Sequence, residues 1–182
     1  MTNNPTAEEV ISFWFEEISP KQQFIKDEKL DDEIKRRFGS LHQRLREDLS
    51  DFTATVEGAL AAILVFDQFS RNIFRGSGKA FETDPLALSI AKDLIAKGLD
   101  KKMSVNHRVF VYMPFMHAET LKDQEQSVVL FTELGIESNI DYAIKHLDVV
   151  KKYGRFPHRN VALDRVSTEE EMAFINTPGT AF

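Results

Sequence analysis

A hydrophobic run that becomes charged before it ends sets the strongest constraint on this chain. Residues 60–75 are apolar on nearly every side for two turns, and then Asp67, Arg71 and Arg75 follow at four-residue steps. A helix that is apolar all round belongs in the middle of a domain. Charges in such a helix are costly unless they find partners. The run therefore predicts a central helix with a charged end that needs partners.

Composition predicts a soluble globular protein with a single domain over residues 1–182. Hydrophobic residues make up 42% of the chain and charged residues 29%, and a chain of this length buries roughly 70% of its unfolded surface. Fifteen phenylalanines predict an aromatic core. The chain has no cysteine, which excludes disulfides, thiolate catalysis and cysteine-based zinc sites.

Charge and hydropathy argue against two kinds of partner. The formal net charge of −6 disfavours nucleic acid and anionic membranes. No apolar run reaches the ~20 residues that span a bilayer, and the first residues lack the pattern of a signal peptide. We therefore expect a cytoplasmic protein with no nucleic-acid or membrane partner.

Helical periodicity and capping residues recur along the whole chain. Thr6 with Glu9 predicts a capping box, and no alternating run of five or more residues predicts a strand. The predicted helices cover residues 6–18, 27–49, 56–74, 86–97, a segment from 104 with Pro114 inside it, 123–134, 139–153 and 168–175. The sequence thus predicts an all-α fold of seven to eight helices in antiparallel pairs.

Some details of these helices can be checked residue by residue. Asp84 and Asp123 are predicted N-caps, and Asn139 is predicted to begin a helix. His42 falls beside the polar face of its helix, which predicts a solvated histidine. The tail from residue 176 is predicted to be a loop pinned by Phe182.

The charged end of the central helix allows two interpretations. Asp67, Arg71 and Arg75, with Asn72 beside them, lie on one side of a helix in an order that favours ion pairing. In the first interpretation they form a buried network that fixes helix packing. In the second, the guanidinium groups face a cavity and hold an anionic ligand.

A second group surrounds Pro114, which is expected to kink its helix. Tyr112, His117 and Glu119 lie in this group. His117 is either a satisfied core histidine or a ligand-binding or acid–base group. The pair His117 and Glu119 is two residues apart and cannot share a metal on a regular helix, and no histidine pair has a metal-binding spacing of three or four residues. We predict no metal and no cofactor.

The third group is a corner that follows Gly154, which permits a left-handed turn. Pro157 can open a short helix there, so free backbone N–H groups would lie beside basic side chains. These side chains belong to Arg155, His158 and Arg159, with Asn160 next to them. The segment is either an anion pocket or a structural corner whose arginines pair with acids.

These three groups carry a resemblance to a known family. The motifs run from Asp67 to Gly76, from Tyr112 to Glu119 and from Tyr153 to Asn160. They resemble, in the same order, the bacterial family known as domain of unknown function 924. The resemblance implies an all-helical, tetratricopeptide-like right-handed superhelix, and it implies no activity.

Three hypotheses of function follow. In the first, the arginines and histidines converge on a central pocket, walled by Tyr112, Phe115 and Phe156, that binds a small anionic molecule or an acidic peptide. In the second, the chain is a hydrolase or transferase acting on a phosphate or carboxylate ester, with His117 or His158 as general base oriented by Glu119 or Asp67. The third is a protein-interaction scaffold without chemistry that forms a homodimer through exposed phenylalanines.

Overall fold

The fold is all-α, as predicted. The computed structural model describes residues 5–50 and 52–177, and within them no strand occurs. The α-helices are α1 (Ala7–Ser12), α2 (Glu28–Glu47), α3 (Val56–Ile63), α4 (Ser70–Ile73), α5 (Asp84–Ala96), α6 (Val105–Met116), α7 (Leu121–Leu134), α8 (Glu137–Tyr153) and α9 (Glu169–Ile175). The superhelical arrangement of helix pairs stays a prediction.

The chain divides into two compact units. The first unit runs to Arg75 and resumes over Lys79–Pro114, and the second takes Gly76–Gly78 and the chain from Phe115 onward. The boundary falls at Pro114, inside α6 as the sequence placed it. That the chain is a single domain stays a prediction.

The predicted central helix contains a π-helical turn. Leu64–Phe69 joins α3 to α4 without a break, and the Ser70 N–H bonds the carbonyl of Val65, five residues back. The wider turn leaves carbonyls that side chains reach. The Thr83 hydroxyl donates to the Phe66 carbonyl at 2.8 Å, and the Arg71 guanidinium donates to the Asp67 carbonyl. The sequence predicts the helix but not this turn.

An aromatic core surrounds this helix in the first unit and confirms the prediction from composition. Phe69 is fully buried, and its ring centroid lies 4.9 Å from that of Phe38, 5.5 Å from Trp14 and 5.8 Å from Phe13. These rings come from α2, the π-helical turn after α1 and the central helix. The central helix is therefore buried by aromatic contacts on several sides, as its uniform hydropathy requires.

The prediction that His42 is solvated is wrong. Its side chain is buried, and its Nε2 lies 2.8 Å from the Ser70 hydroxyl, which lies 2.8 Å from the Thr83 hydroxyl. Since Thr83 donates onward to a carbonyl, the chain of donors requires Nε2–H on His42. The reason for burial is helical geometry, because position 42 lies four residues after Phe38 and three before Leu45, on the buried stripe.

Helix ends in the second unit correct two further predictions. Thr120, not Asp123, is the N-cap of α7, and its hydroxyl accepts the Asp123 N–H. Helix α8 begins at Glu137, two residues before the predicted Asn139. The Thr120 hydroxyl accepts a free N–H of the first helical turn, which is the kind of bond that the predicted acidic cap would have made with a later N–H. Gly135 adopts the left-handed conformation at the end of α7, which is common for a glycine after a helix.

Three other helix starts differ in outcome. Thr83 rather than Asp84 precedes α5, so Asp84 is the first residue of the helix. The capping boxes of Thr6 with Glu9 and of Thr168 with Glu171 are both present. The predicted contact of Phe182 in the tail lies outside the described residues.

Candidate functional site

The charged end of the central helix forms a closed network within the first unit. Arg71 donates to both carboxylate oxygens of Asp84, at 2.9 and 3.1 Å, and its Nη1 lies 3.4 Å from the fully buried Asp67. The guanidinium carbon also lies 5.6 Å from the Phe81 ring centroid. These contacts match the first interpretation, an ion-pair network that fixes packing.

The next turn of this helix is tied to α2. Arg75 donates to Asp31 through Nε at 2.5 Å and Nη2 at 2.7 Å, and Asn72 donates to the same carboxylate at 2.8 Å. Burial alone would raise the pKa of Asp31, but the hydrogen bonds from Arg75 and Asn72 lower it overall. Asp31 is therefore the anion that these two side chains hold, and it is supplied by the chain itself.

Tyr112, predicted as part of a ligand site, is fully buried in the first unit. Its hydroxyl donates to Asp100 at 2.6 Å and accepts from Arg108 at 3.1 Å. Burial and the bond to Asp100 raise the pKa of Tyr112 to about 12. The phenol is thus a neutral bridge between a carboxylate and a guanidinium.

A cavity of about 220 Å³ also lies in the first unit, apart from all of these residues. Its walls are the segment before α3, the start of α3 and one face of α5. Thr53, Thr55, Ser89, Asp93 and Lys97 are its polar lining. None of the site residues predicted from the sequence borders it.

In the second unit, Glu119 fixes the corner segment, residues 153–160. Its carboxylate accepts the Phe156 N–H at 2.8 Å and a bidentate pair from Arg165 at 2.9 and 2.8 Å. Burial alone would raise the pKa of Glu119, but these bonds and the charge of Arg159 lower it overall. Sequence reasoning missed Arg165 as the partner, because the two residues lie 46 positions apart.

The corner segment adopts the backbone conformation that its glycine and proline predict. Gly154 ends α8 in the left-handed conformation, and Pro157 begins a 3₁₀ turn, Pro157–Arg159. Arg155 is bidentate to Glu171, with bonds of 2.7 and 2.9 Å, and Asn160 donates to Ser167 at 2.9 Å. The bond to Arg155 is the main cause that lowers the pKa of Glu171 to about 2.

Two histidines and an arginine contact the buried ring of Phe156, and a third histidine lies beside one of them; we call this the histidine cluster, comprising His117, His146, Phe156, His158 and Arg159. The His146 and His158 ring centroids lie 5.5 and 5.7 Å from that of Phe156, and the Arg159 guanidinium carbon lies 4.6 Å from it. The His117 ring lies 6.3 Å from the His146 ring. His146 and Arg159 are buried, while His117 and His158 are half-buried.

His146 is the member that sequence reasoning left out of the site. Its Nδ1 lies 2.7 Å from the Tyr142 carbonyl, and because a carbonyl only accepts, Nδ1 carries the proton. Burial and the charges of His117, Arg159 and His158 lower the pKa of His146 to about 3. A signal existed, since position 146 lies three residues after Ala143 and four before Val150, both on the buried face of α8.

Positive charges act on His146 within the histidine cluster, since those of His117, Arg159 and His158 each lower its pKa. Two carboxylates of the same unit, Glu119 and Glu171, are held in bidentate pairs by Arg165 and Arg155. A buried guanidinium beside imidazoles is chemically suited to a carboxylate or phosphate group.

Two further properties limit what the described residues can do. No group of three or more histidine, aspartate or glutamate side chains among them is arranged to hold a metal ion. Likewise, none of the described helices combines the length and hydropathy needed to cross a bilayer. The predicted convergence of Arg71, His117 and Arg159 on one centre stays a prediction.

Fold and site together define an all-helical protein whose second unit carries a cluster of three histidines and an arginine. The family is established by comparison. The chain belongs to the family described as bacterial protein of unknown function (DUF924), whose model matches residues 10–179.

A solved structure supports the same assignment. The chain is similar to a protein of unknown function from Agrobacterium tumefaciens, with 37% sequence identity and a TM-score of 0.87. The match covers 93% of this chain and 96% of that one. No curated protein matches the chain.

Proposed function

We propose that the chain binds a small anionic molecule at the histidine cluster of its second unit. The observation that carries the proposal is a buried guanidinium, that of Arg159, whose charge acts on a cluster of three histidines. Arg159 supplies a planar cation that is nearly buried and lies over the Phe156 ring. A guanidinium in that position suits a carboxylate or phosphate group.

The corner around the cluster is rigid, which favours binding. Glu119 holds the Phe156 backbone and Arg165, while Glu171 holds Arg155. A site whose side chains are already ordered loses less entropy when a ligand binds. These two carboxylates therefore act as supports of the cluster.

Calorimetric titration with sulfate and with citrate tests the proposal. Arg159→Lys keeps the charge but loses the planar pair of donors, so we expect at least about tenfold weaker binding, a loss of about 1.4 kcal/mol or more. Arg75→Lys is the matched control, because it alters an arginine of the first unit that is already bidentate to Asp31. Sulfate also stabilises proteins without binding a site, and the comparison of the two variants removes that effect.

Two results would overturn the proposal. One is the absence of a binding heat for both anions. The other is equal weakening by Arg75→Lys and Arg159→Lys when both variants keep the helical circular dichroism of the parent.

The enzyme hypothesis receives less support from these contacts. A catalytic histidine needs an orienting partner, and Glu119, which the sequence suggested for that role, accepts three bonds from Phe156 and Arg165. Asp67, the other suggested partner, lies in the network of Arg71. A screen for phosphatase and esterase activity, with His117→Ala and His158→Ala as controls, tests this alternative directly.

A further inference from the structure

The cavity of the first unit has an apolar floor and a polar rim. Ala59 and Leu94 are buried and line its floor, and the half-buried Ile90 lies beside them. Asp93 and Lys97 are exposed at its rim. An apolar interior with a few polar groups at the opening is the usual arrangement of a site for a small molecule.

Fixed contacts hold this cavity in shape. The 3₁₀ turn Phe52–Ala54 lies so close to Gly58 of α3 that a Cβ there would clash with the Phe52 carbonyl oxygen. Thr53 donates at 2.9 Å to a backbone carbonyl four residues earlier, and the Thr55 hydroxyl accepts the Gly58 N–H at 3.0 Å. Helix α5 packs against α3 and supplies the other wall. Because both walls are already ordered, less entropy is lost when a ligand enters.

The charged side chains at the rim are one acid and one base. Asp93 and Lys97 lie one turn apart on α5, with the Lys97 ammonium 2.6 Å from the Asp93 carboxylate. Among the described residues that line the cavity, no other carries a charge. The lining therefore has no net charge, which disfavours a simple anion or cation. An exposed ion pair stabilises a protein little, so both groups can turn at small cost to a ligand that offers two opposite charges.

Two threonine hydroxyls of the lining repeat this combination of a donor and an acceptor. The Thr55 oxygen accepts a backbone N–H, so its own O–H remains to donate to a ligand carboxylate. Thr53 spends its O–H on a backbone carbonyl, so its oxygen remains to accept from a ligand ammonium. The polar lining thus offers partners to both ends of a zwitterion.

We propose that this cavity binds a zwitterionic α-amino acid with an aliphatic side chain. The ammonium of the ligand meets Asp93 and Thr53, and its carboxylate meets Lys97 and Thr55. The aliphatic side chain lies against the apolar floor. This site belongs to the first unit and the histidine cluster to the second, so the inference is independent of the proposed function.

The volume of the cavity sets the size of the amino acid. A cavity of about 150 Å³ holds the six carbons of benzene, so one of about 220 Å³ suits about nine non-hydrogen atoms. Leucine and isoleucine have this size.

Titration with L-leucine, followed by two-dimensional amide NMR, tests the proposal. We expect saturable shifts in the segments that line the cavity, residues 53–59 and 89–99. The matched probes are 4-methylpentanoate, which is leucine without its ammonium, and 3-methylbutylamine, which is leucine without its carboxylate. Each should bind at least about tenfold more weakly, because each leaves one charged hydrogen-bonding partner unused.

Variants at exposed positions assign the binding to this cavity. Lys97→Met should weaken L-leucine binding about tenfold. Lys102→Met, which removes the same charge from an exposed position outside the lining, should leave it unchanged. Ser89→Phe should abolish binding, because its ring would cover the opening from α5. Helical circular dichroism checks that each variant keeps the fold.

Four results would overturn the proposal. The first is no shift with L-leucine up to about 10 mM. The second is equal affinity for L-leucine and 4-methylpentanoate, since the ion pair would then not recognise both ends. The third is full binding by a folded Ser89→Phe, and the fourth is equal weakening by Lys97→Met and Lys102→Met.

Discussion

Two regions of the molecule contain arginines that the sequence made equally good candidates, and the structure treats them differently. At the end of the central helix, Arg71 and Arg75 meet Asp84 and Asp31 in bidentate pairs. In the second unit, Arg155 and Arg165 also meet carboxylates in bidentate pairs, whereas Arg159 is buried over the Phe156 ring beside the histidines. Arginine spacing alone therefore does not predict which contacts each guanidinium makes, because the contacting side chains come from distant positions in the chain.

Breaking the network of the first unit should give the largest effect. Arg71→Met removes the guanidinium that lies 3.4 Å from the fully buried carboxylate of Asp67. Removing one partner of a buried pair costs about 3–5 kcal/mol of unfolding free energy, measured by urea denaturation followed by circular dichroism. Arg36→Met, at an exposed position of α2, should change it by less than about 0.5 kcal/mol.

Sulfate binding by the same variant tests whether Arg71 belongs to a packing network or to the ligand site. Where Arg71→Met remains folded, we expect it to bind sulfate as the parent does, because its role is in packing. A stable Arg71→Met protein that has lost sulfate binding would show instead that the ligand belongs to the first unit.

A smaller effect is expected when the support of the corner is weakened. Glu119→Gln keeps an acceptor for the Phe156 N–H but loses the charge that Arg165 pairs with. We expect a loss of about 1–3 kcal/mol in the free energy of unfolding. Glu125→Gln, at an exposed position of α7, is the matched control.

The pH dependence of that difference has a definite sign. The folded-state pKa of Glu119 lies below its ordinary value of 4.5. The contribution of Glu119 to the free energy of unfolding is therefore complete when pH lies well above its ordinary pKa, and it is lost as pH falls through the folded-state pKa. Parent and Glu119→Gln should converge in stability in acid. A difference that persists unchanged in acid would mean that the charge of Glu119 contributes nothing.

The smallest expected effect is on the pH dependence of stability, and it comes from one buried histidine in each unit. Burial, with the charge of Arg46, lowers the pKa of His42 to about 4, and that of His146 is about 3, both below the ordinary 6.5. The unfolded chain then takes up these protons first as pH falls, so stability declines below about pH 6.5. We expect each histidine to account for about 1 kcal/mol over the first pH unit.

Conservative replacements isolate these two contributions. His42→Gln retains a donor for Ser70, and His146→Asn retains a donor for the Tyr142 carbonyl. Each replacement should make the free energy of unfolding change less between about pH 6.5 and 5.5. Chemical denaturation at closely spaced pH values measures this change. A profile unaltered by both replacements would show that neither histidine is held neutral by the fold.

Local signals in the sequence predicted most of the fold and little of the site. Periodicity and caps locate the helices to within a few residues, because each helix depends mainly on its own residues. The partners of the predicted site residues come from distant positions: Asp31 is 44 residues from Arg75, and Arg165 is 46 from Glu119. A single sequence does not reveal such pairings.

For the buried histidines, the sequence predicts burial but not the hydrogen-bond partner. The burial of His42 and of His146 could have been predicted, since both lie on the apolar stripes of their helices. What the stripe does not reveal is the partner that makes burial tolerable, Ser70 in one case and the Tyr142 carbonyl in the other. The family resemblance and the all-α fold are confirmed by the comparisons, and the anionic ligand stays a prediction.

The aromatic core of the first unit gives the protein a built-in optical probe. Trp14 is the only tryptophan of the chain, and it is buried against Phe69 and Phe110 at 5.5 and 5.6 Å. Its fluorescence reports the solvation of this core, whereas far-ultraviolet ellipticity reports helices throughout the chain. A denaturation followed by both signals would therefore reveal whether the two units melt in one transition or in two, without any label.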